Sequence, residues 1–267
     1  MSITVSLAQM HIVPGNVEAN LTTALGMIEA AAAAHSQMIL FPELWTSGYD
    51  LTHLARHAIA NQEILIELQR LASLHNLWIG GSMITSAGQG FHNTFNLCAP
   101  DGRSVISYDK VHLFRLMDEH TWLKPGEQLS LAQLPWGLAG MAICYDLRFP
   151  EMFRRYALSG ATHYLLPAQW PSARAEHWTL LARARAVENQ AFMLAVNTVG
   201  RVGSESFAGC SAVYSPWGEA TSLASDANEE LLTVLIDLAQ VKEVRSTIPV
   251  LSDRNQALDQ LSAWGDD

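Results

Sequence analysis

Apolar positions change their spacing in a regular way along the chain. "ITVSLAQM" (3–10) alternates closely enough to form a strand, and "VPG" turns the chain behind it. Asn16 can cap a helix running to about Ala34, with Leu21, Leu25, Ile28 and Ala32 on one face. "MILF" (38–41) is short and wholly apolar, which predicts a buried strand, and Pro42 ends it. Ile64, Leu65, Leu68, Leu71 and Ala72 predict a helix between about Thr52 and His75. "LWIGGSMI" (77–84) is a strand, and "HNTFNLCAP", "DG" and "RSVISYDK" together make a hairpin signature. "GLAGMAIC" (137–144) predicts a central strand, followed by a helix from Pro150, a residue suited to a first helical turn. Further strands are expected at 162–168, 191–200, 210–216 and 230–238, with a helix over 174–190.

Buried strands need helical cover, and this order mixes βα units with hairpins. Two βαβ-like halves, each with a hairpin, suit two sheets packed together with helices outside. No linker interrupts the pattern, so residues 1–267 are expected to form one domain, with a polar tail from about 252 to 267.

Composition narrows the class. The chain has 267 residues, 49% of them hydrophobic, enough for a substantial core. A formal net charge of -10 and the lack of a basic tract argue against a nucleic-acid partner. "MSITVSLAQM" lacks the basic start and long apolar run of a signal peptide, and no apolar run is long enough to span a bilayer. Cys98, Cys144 and Cys210 are too few and too scattered for a disulfide scaffold. A cytoplasmic protein with reduced thiols is expected.

Three places share one syntax: an apolar strand that delivers a reactive or charged residue at its C-terminal end. They are "MILFPE" with Glu43, "VISYDK" with Lys110 and "MAICYD" with Cys144. Ligands collect just beyond strand ends in α/β architectures. A carboxylate there can take a thiol proton, and an ammonium can favour the thiolate and stabilise an oxyanion. Taken singly, Cys144 could equally be a small core residue, Glu43 a loop acid and Lys110 a surface charge. Strand-end position alone does not fix a reaction class.

"FPELWTSGY" around Glu43, "YDKVHLF" around Lys110 and "CYDLRFPE" from Cys144 resemble the nitrilase superfamily of carbon–nitrogen hydrolases, and the likeness runs from "SLAQM" to "VLIDL". The resemblance implies an α/β fold in the form of a four-layer αββα sandwich. It implies Cys144 as nucleophile, Glu43 as general base and Lys110 as the charge-stabilising lysine, with the Tyr145 backbone N–H facing the oxyanion. A second glutamate of the family corresponds to Glu119, with Asp118 as its neighbouring rival. No cofactor or metal is implied: His112 and His120 belong to no compact ligand set. Cys98 and Cys210, with no acid–lysine pattern around them, are expected to be structural.

"YDKVHLFRLMDEHTWLKPG" and "LLPAQWPSARAEHWTLLARARAVENQAFMLAVNTVG" resemble the omega-amidase-like branch, whose members hydrolyse the terminal amides of 2-oxo acids. Such a substrate carries a distal carboxylate, which an arginine fork holds best. Arg174, in the loop after "LLPAQWPSA", is the candidate, against the plainer alternative that it caps a surface helix or pairs with Glu176; Arg148 is the rival anchor, expected rather to brace the turn after Cys144. Alternatives in the same chemistry are N-carbamoyl amino acids, aliphatic amides and, less favoured, nitriles. The alternative of another class is a non-enzymatic scaffold, against which the three intact positions argue. The small-molecule amide is the expected partner, and the family's habit implies a homodimer or larger homo-oligomer.

Overall fold

The computed structural model describes residues 1–88, 90–255 and 257. Alternation decides where each strand's side chains go. In β1 (Ser2–Gln9), Ile3, Val5 and Leu7 enter one apolar core while Ala8 enters another. In β2 (Met38–Leu40), Met38 and Leu40 share the first core and Ile39 the second. The first core lies between two sheets and the second lies under two helices, α1 (Val17–Ala33) and α2 (Leu54–His75). β3 (Trp78–Ala87), β4 (Gly90–Cys98) and β5 (Val105–Asp109) complete that half. Cys98 faces the helix-side core, where burial pushes its thiol up to about 12, as expected for a structural cysteine.

The second half follows the same scheme. After the short α3 (Glu119–Trp122) come β6 (Leu131–Leu134), β7 (Gly137–Met141), α4 (Pro150–Leu158), β8 (His163–Ala168), α5 (Ala175–Asn189) and β9 (Phe192–Asn197). A hairpin of β10 (Val199–Val202) and β11 (Glu205–Ala208) precedes β12 (Ala212–Tyr214), β13 (Ala220–Leu223) and β14 (Glu230–Asp237); α6 (Ala239–Thr247) and α7 (Val250–Asp253) follow. The six-stranded sheets run β14-β1-β2-β3-β4-β5 and β13-β12-β9-β8-β7-β6. Strands β1, β2 and β3 are parallel, as are β7, β8 and β9, and antiparallel strands flank both trios. With α1 and α2 outside one sheet and α4 and α5 outside the other, the result is the expected four-layer αββα sandwich.

One buried face and one strand end differ from the sequence reading. The helix that Asn16 caps, through a bond from the Ala19 N–H to its side chain, buries Asn20, Ala24, Ile28 and Ala31. Leu21 and Leu25 are only partly buried and pack at the edge of that core. Asn20 is tolerated inside because it bonds the backbones of Val13 and Thr46. The strand expected over 137–144 stops at Met141, so Cys144 opens a turn instead of closing a strand. Tyr156 on α4 secures that strand end by donating to the Met141 carbonyl at 2.7 Å, and Gly140 gives its ring room. Of the polar tail expected from 252, residues 252 and 253 belong to α7, and most of the remainder lies outside the described residues. Among the described residues, no helix is long and apolar enough to cross a membrane.

Candidate active site

Four strand ends meet at one place. Glu43 follows β2, Lys110 follows β5, Cys144 follows β7 and Gln169 follows β8. The backbone bends sharply at two of them. Leu44, beside Glu43, has φ +45°, and Cys144 itself has φ +44°, a region that costs an L-residue about 1–3 kcal/mol. Local bonds hold the first bend: Leu44 N–H donates to Ser82 Oγ at 2.8 Å and Trp45 N–H to the Ser82 carbonyl at 3.1 Å. At the second, Cys144 to Arg148 form a single 3₁₀ turn, so the Tyr145 N–H belongs to a first turn that offers it no intrahelical acceptor.

Glu43, Lys110 and Glu119 have no exposed surface, and Cys144 is 5% exposed. Lys110 Nζ donates to Glu43 Oε1 at 2.6 Å and to Glu119 Oε1 at 2.7 Å. Glu43 also accepts from Asn93 Nδ2 at 2.8 Å and from the Gln169 N–H at 3.0 Å, while Gln169 Nε2 returns a bond to the Glu43 carbonyl. Glu119 accepts from the Tyr49 hydroxyl at 2.7 Å and the Phe114 N–H at 2.6 Å. Each buried carboxylate therefore has three donors, which is what keeps charge tolerable away from water. Of the two adjacent acids, the exposed one is Asp118; Glu119 turns inward to the lysine.

The electrostatics favour a neutral resting thiol beside a charged lysine. Burial and then the Glu43 charge push the Cys144 thiol well above its ordinary range, against the opposing pull of Lys110. Burial works against the Lys110 ammonium, but Glu119 and Glu43 outweigh it and hold the lysine protonated. Burial raises Glu119 as well, with Lys110 opposing. A thiol of this kind needs a base close to it to become a nucleophile, and Glu43 is the carboxylate whose charge bears most on it.

A cleft bordered by Phe114, Tyr145, Gln169, Trp170 and Pro171 leads to Cys144, and Arg148 and Arg174 both reach its wall. Arg148 lies over the Trp170 ring at 4.7 Å and Arg174 over the Phe114 ring at 5.6 Å. Among the described residues neither guanidinium forms an ion pair, so the expected alternative of an Arg174–Glu176 pair is not found. Trp170 ties this wall together by donating from its indole to the Arg174 carbonyl at 2.8 Å.

The sequence profile of the carbon–nitrogen hydrolase family matches residues 4–246. The chain belongs to that family. A 2-oxoglutaramate amidase of Bacillus subtilis is 36% identical over 256 residues, covering 95% of this chain and 98% of the relative. Omega-amidase NIT2-A of Xenopus laevis is 31% identical over 267 residues, covering 95% of both. Among solved structures, a CN-hydrolase superfamily protein of Xanthomonas campestris with an arsenic adduct in its active site superposes with a TM-score of 0.90 at 28% identity, over 99% of this chain and 100% of that one. A Nesterenkonia amidase variant, with the acetamide moiety of fluoroacetamide bound covalently at its active-site cysteine, gives 0.86 at 25% identity, over 97% of this chain and 95% of that one.

For a carbon–nitrogen hydrolase, the sequence pattern located most of this cluster. Cys144, Glu43, Lys110 and Glu119 come together, and Tyr145 and Arg174 border the same cleft. Arg148 reaches the cleft wall as well as following the turn. Asn93, Gln169 and Tyr49 gave no signal of their own. Gln169 could have been found by extending the strand-end rule to β8, and Tyr49 by asking why "FPELWTSGY" ends in an aromatic hydroxyl.

Proposed function

We propose that this enzyme hydrolyses the terminal amide of a short 2-oxo acid, such as 2-oxoglutaramate or 2-oxosuccinamate, to the acid and ammonia. The carrying observation is the presence of Arg148 and Arg174, without carboxylate partners among the described residues, on the wall of the cleft that holds Cys144. A guanidinium offers two parallel charge-assisted donors to a carboxylate, and each of these arginines packs over an aromatic ring of the cleft wall. The 2-oxoglutaramate amidase and omega-amidase relatives support the same class.

In the proposed mechanism, Glu43 takes the Cys144 proton as the sulfur attacks the amide carbon and a C–S bond forms. Lys110 and the Tyr145 N–H stabilise the oxyanion. The tetrahedral species collapses, the C–N bond breaks, and ammonia leaves with the proton that Glu43 returns. Glu43 then takes a proton from water, which attacks the thioester. The C–S bond breaks, Cys144 recovers a proton, and the acid departs. Glu119 orients the lysine through its 2.7 Å bond and is itself fixed by Tyr49 and Phe114.

Ammonia release tests the substrate class, measured for 2-oxoglutaramate, 2-oxosuccinamate, an N-carbamoyl amino acid, a neutral aliphatic amide and an aryl nitrile. The first two are expected to give the highest kcat/KM. The two arginines would also hold the carboxylate of an N-carbamoyl amino acid, so preference for that compound would replace this substrate while leaving the thiol chemistry in place.

A further inference from the structure

The Asp146 carboxylate has no exposed surface and takes no part in the chemistry above. Its bonds all go to residues beside reacting groups. Oδ2 accepts from the Ile143 N–H at 2.8 Å, immediately before Cys144, and from the Tyr108 hydroxyl at 2.8 Å. Oδ1 accepts from the His112 N–H at 3.1 Å and from His112 Nδ1 at 2.8 Å. Tyr108 and His112 flank Lys110 in the sequence, two residues away on either side. Lys110 follows a strand of one sheet and Cys144 a strand of the other. One carboxylate therefore fastens the turn that carries the thiol to both sides of the lysine, across the junction between the two sheets.

The surroundings restrict the tie further. The Tyr108 hydroxyl also accepts from the Val111 N–H at 3.2 Å, so the residue after Lys110 is held too. The His112 ring stacks on Phe149 at 3.6 Å with an interplanar angle of 8°, which joins the lysine loop to the far end of the 3₁₀ turn. A buried carboxylate is costly unless its lone pairs are satisfied, and here four donors satisfy them. An apolar side chain would fill the space without fixing a distance; directional bonds in a dry interior fix one.

We propose that Asp146 is a positioning residue that sets the spacing between Cys144 and Lys110. This rests on the proposed thiol mechanism but not on the choice of amide. Reacting groups displaced by about 1 Å lose on the order of a hundredfold in rate. Asp146→Asn should therefore slow acylation by about that factor with little change in KM. Because Asp146→Asn is a core change that can fail to fold, Tyr108→Phe and His112→Leu each remove one donor and leave the carboxylate. His112→Asn keeps a donor near the place of Nδ1 and should restore most of the rate lost in His112→Leu.

The deciding readout is the pH dependence of Cys144 alkylation by iodoacetamide, followed by intact mass. The groups bearing on this thiol are Glu43, Lys110 and Glu119. Lys110 alone of these favours the thiolate, so loosening its placement should move the alkylation midpoint upward in Tyr108→Phe and His112→Leu. Tyr164→Phe is the control: it breaks a buried hydroxyl bond to the Phe153 carbonyl and should lower thermal stability without moving the midpoint. Folded Tyr108→Phe and His112→Leu proteins with wild-type acylation and midpoint would overturn the proposal. Wild-type protein inactive on every amide would instead overturn the proposed function, and the alkylation profiles would still decide the role of Asp146.

Discussion

Lys110 and Glu43 form a fully buried ion pair with an Nζ···Oε1 distance of 2.6 Å, and the same ammonium also serves Glu119. One cation between two carboxylates leaves a net negative charge in the interior. The Asn93, Gln169, Tyr49 and Phe114 donors spread that charge. The assembly therefore bears on both chemistry and structure: Glu43, the residue proposed as the base, is also a partner the lysine needs in order to stay buried.

That relationship separates two substitutions. Glu43→Gln cannot accept the proton and should reduce kcat severely, with a modest loss of stability because its amide still offers an oxygen to Lys110. Lys110→Ala removes the oxyanion's cation, a loss of about 3 kcal/mol in the barrier. It also leaves Glu43 and Glu119 facing each other unpaired, which should cost about 3–5 kcal/mol of folding stability. Steady-state rates and urea midpoints on the same preparations check both, and a stable, active Lys110→Ala protein would contradict them.

Cys144→Ala should abolish amide hydrolysis while leaving the fold intact. Among the described residues, its sulfur donates only a long contact to the Gln169 carbonyl at 3.9 Å, so little binding is lost with it. The left-handed backbone at Cys144 persists with alanine, so the turn keeps its shape and its strain. Mass spectrometry of the wild-type enzyme quenched during turnover should show one acyl group per chain, absent in the variant.

Glu119→Gln should retain a measurable rate, because Glu119 is assigned to the lysine and not to the proton transfers. Tyr49→Phe, which removes one of its three donors, should weaken acylation in the same direction and by less. Asp118→Asn should behave as wild type, since Asp118 is exposed. Single-turnover acylation rates give the ranking, and equal rates for Glu119→Gln and wild type would make Glu119 a structural acid.

How much of this was legible in the sequence depends on how local each cause is. Strand ends carrying Glu43, Lys110 and Cys144 could be read because apolar runs and the charged residues behind them are adjacent in the chain. The short β6 and β13, the β10–β11 hairpin and α6 were not read: the strands pair with near neighbours but are four residues each, too short to show a period, and α6 is held by distant partners, Arg245 donating to the Ala161 carbonyl. Asn93 bonds Glu43 across 50 positions and Gln169 across 126, so periodicity cannot announce them. The end of β7 was missed for a different reason. Ala142 and Ile143 are apolar because they are buried, while the backbone there has already left the ladder to form the turn.

Acid should destabilise the protein through His163 at the start of β8. The ring is fully buried, bonded through Nδ1 to Thr162 at 2.9 Å, and burial lowers its pKa to about 3. In the unfolded chain an ordinary histidine takes up a proton near 6.5, so below that pH the unfolded state gains protons that the folded state refuses. The stability His163 contributes is complete above 6.5 and is lost as pH falls toward 3, amounting to about 2 kcal/mol by pH 5. His163→Leu should flatten the fall in urea midpoint between pH 7 and pH 5. An unchanged slope would place the acid sensitivity elsewhere.

Arg148 and Arg174 should divide the recognition of a substrate carboxylate between them. Both border the cleft, but their supports differ. Arg148 lies in the turn that begins at Cys144, packs over Trp170 and reaches His177 Nδ1 at 3.4 Å. Arg174 lies in the loop after β8, with its carbonyl held by the Trp170 indole and its guanidinium over Phe114. Substituting Arg148 therefore disturbs the turn as well as the charge, whereas Arg174→Met removes the charge and keeps an apolar chain against Phe114. For the 2-oxo amides, Arg174→Met should lower kcat/KM by about tenfold to a hundredfold, the worth of one charge-assisted contact. A neutral aliphatic amide has no carboxylate to lose and should be hydrolysed nearly as before. Arg148→Met should lower both, because its loss reaches the backbone beside the thiol. An equal loss across all substrates in Arg174→Met would remove that residue from carboxylate recognition. A selective loss in Arg148→Met alone would move the anchor to the turn.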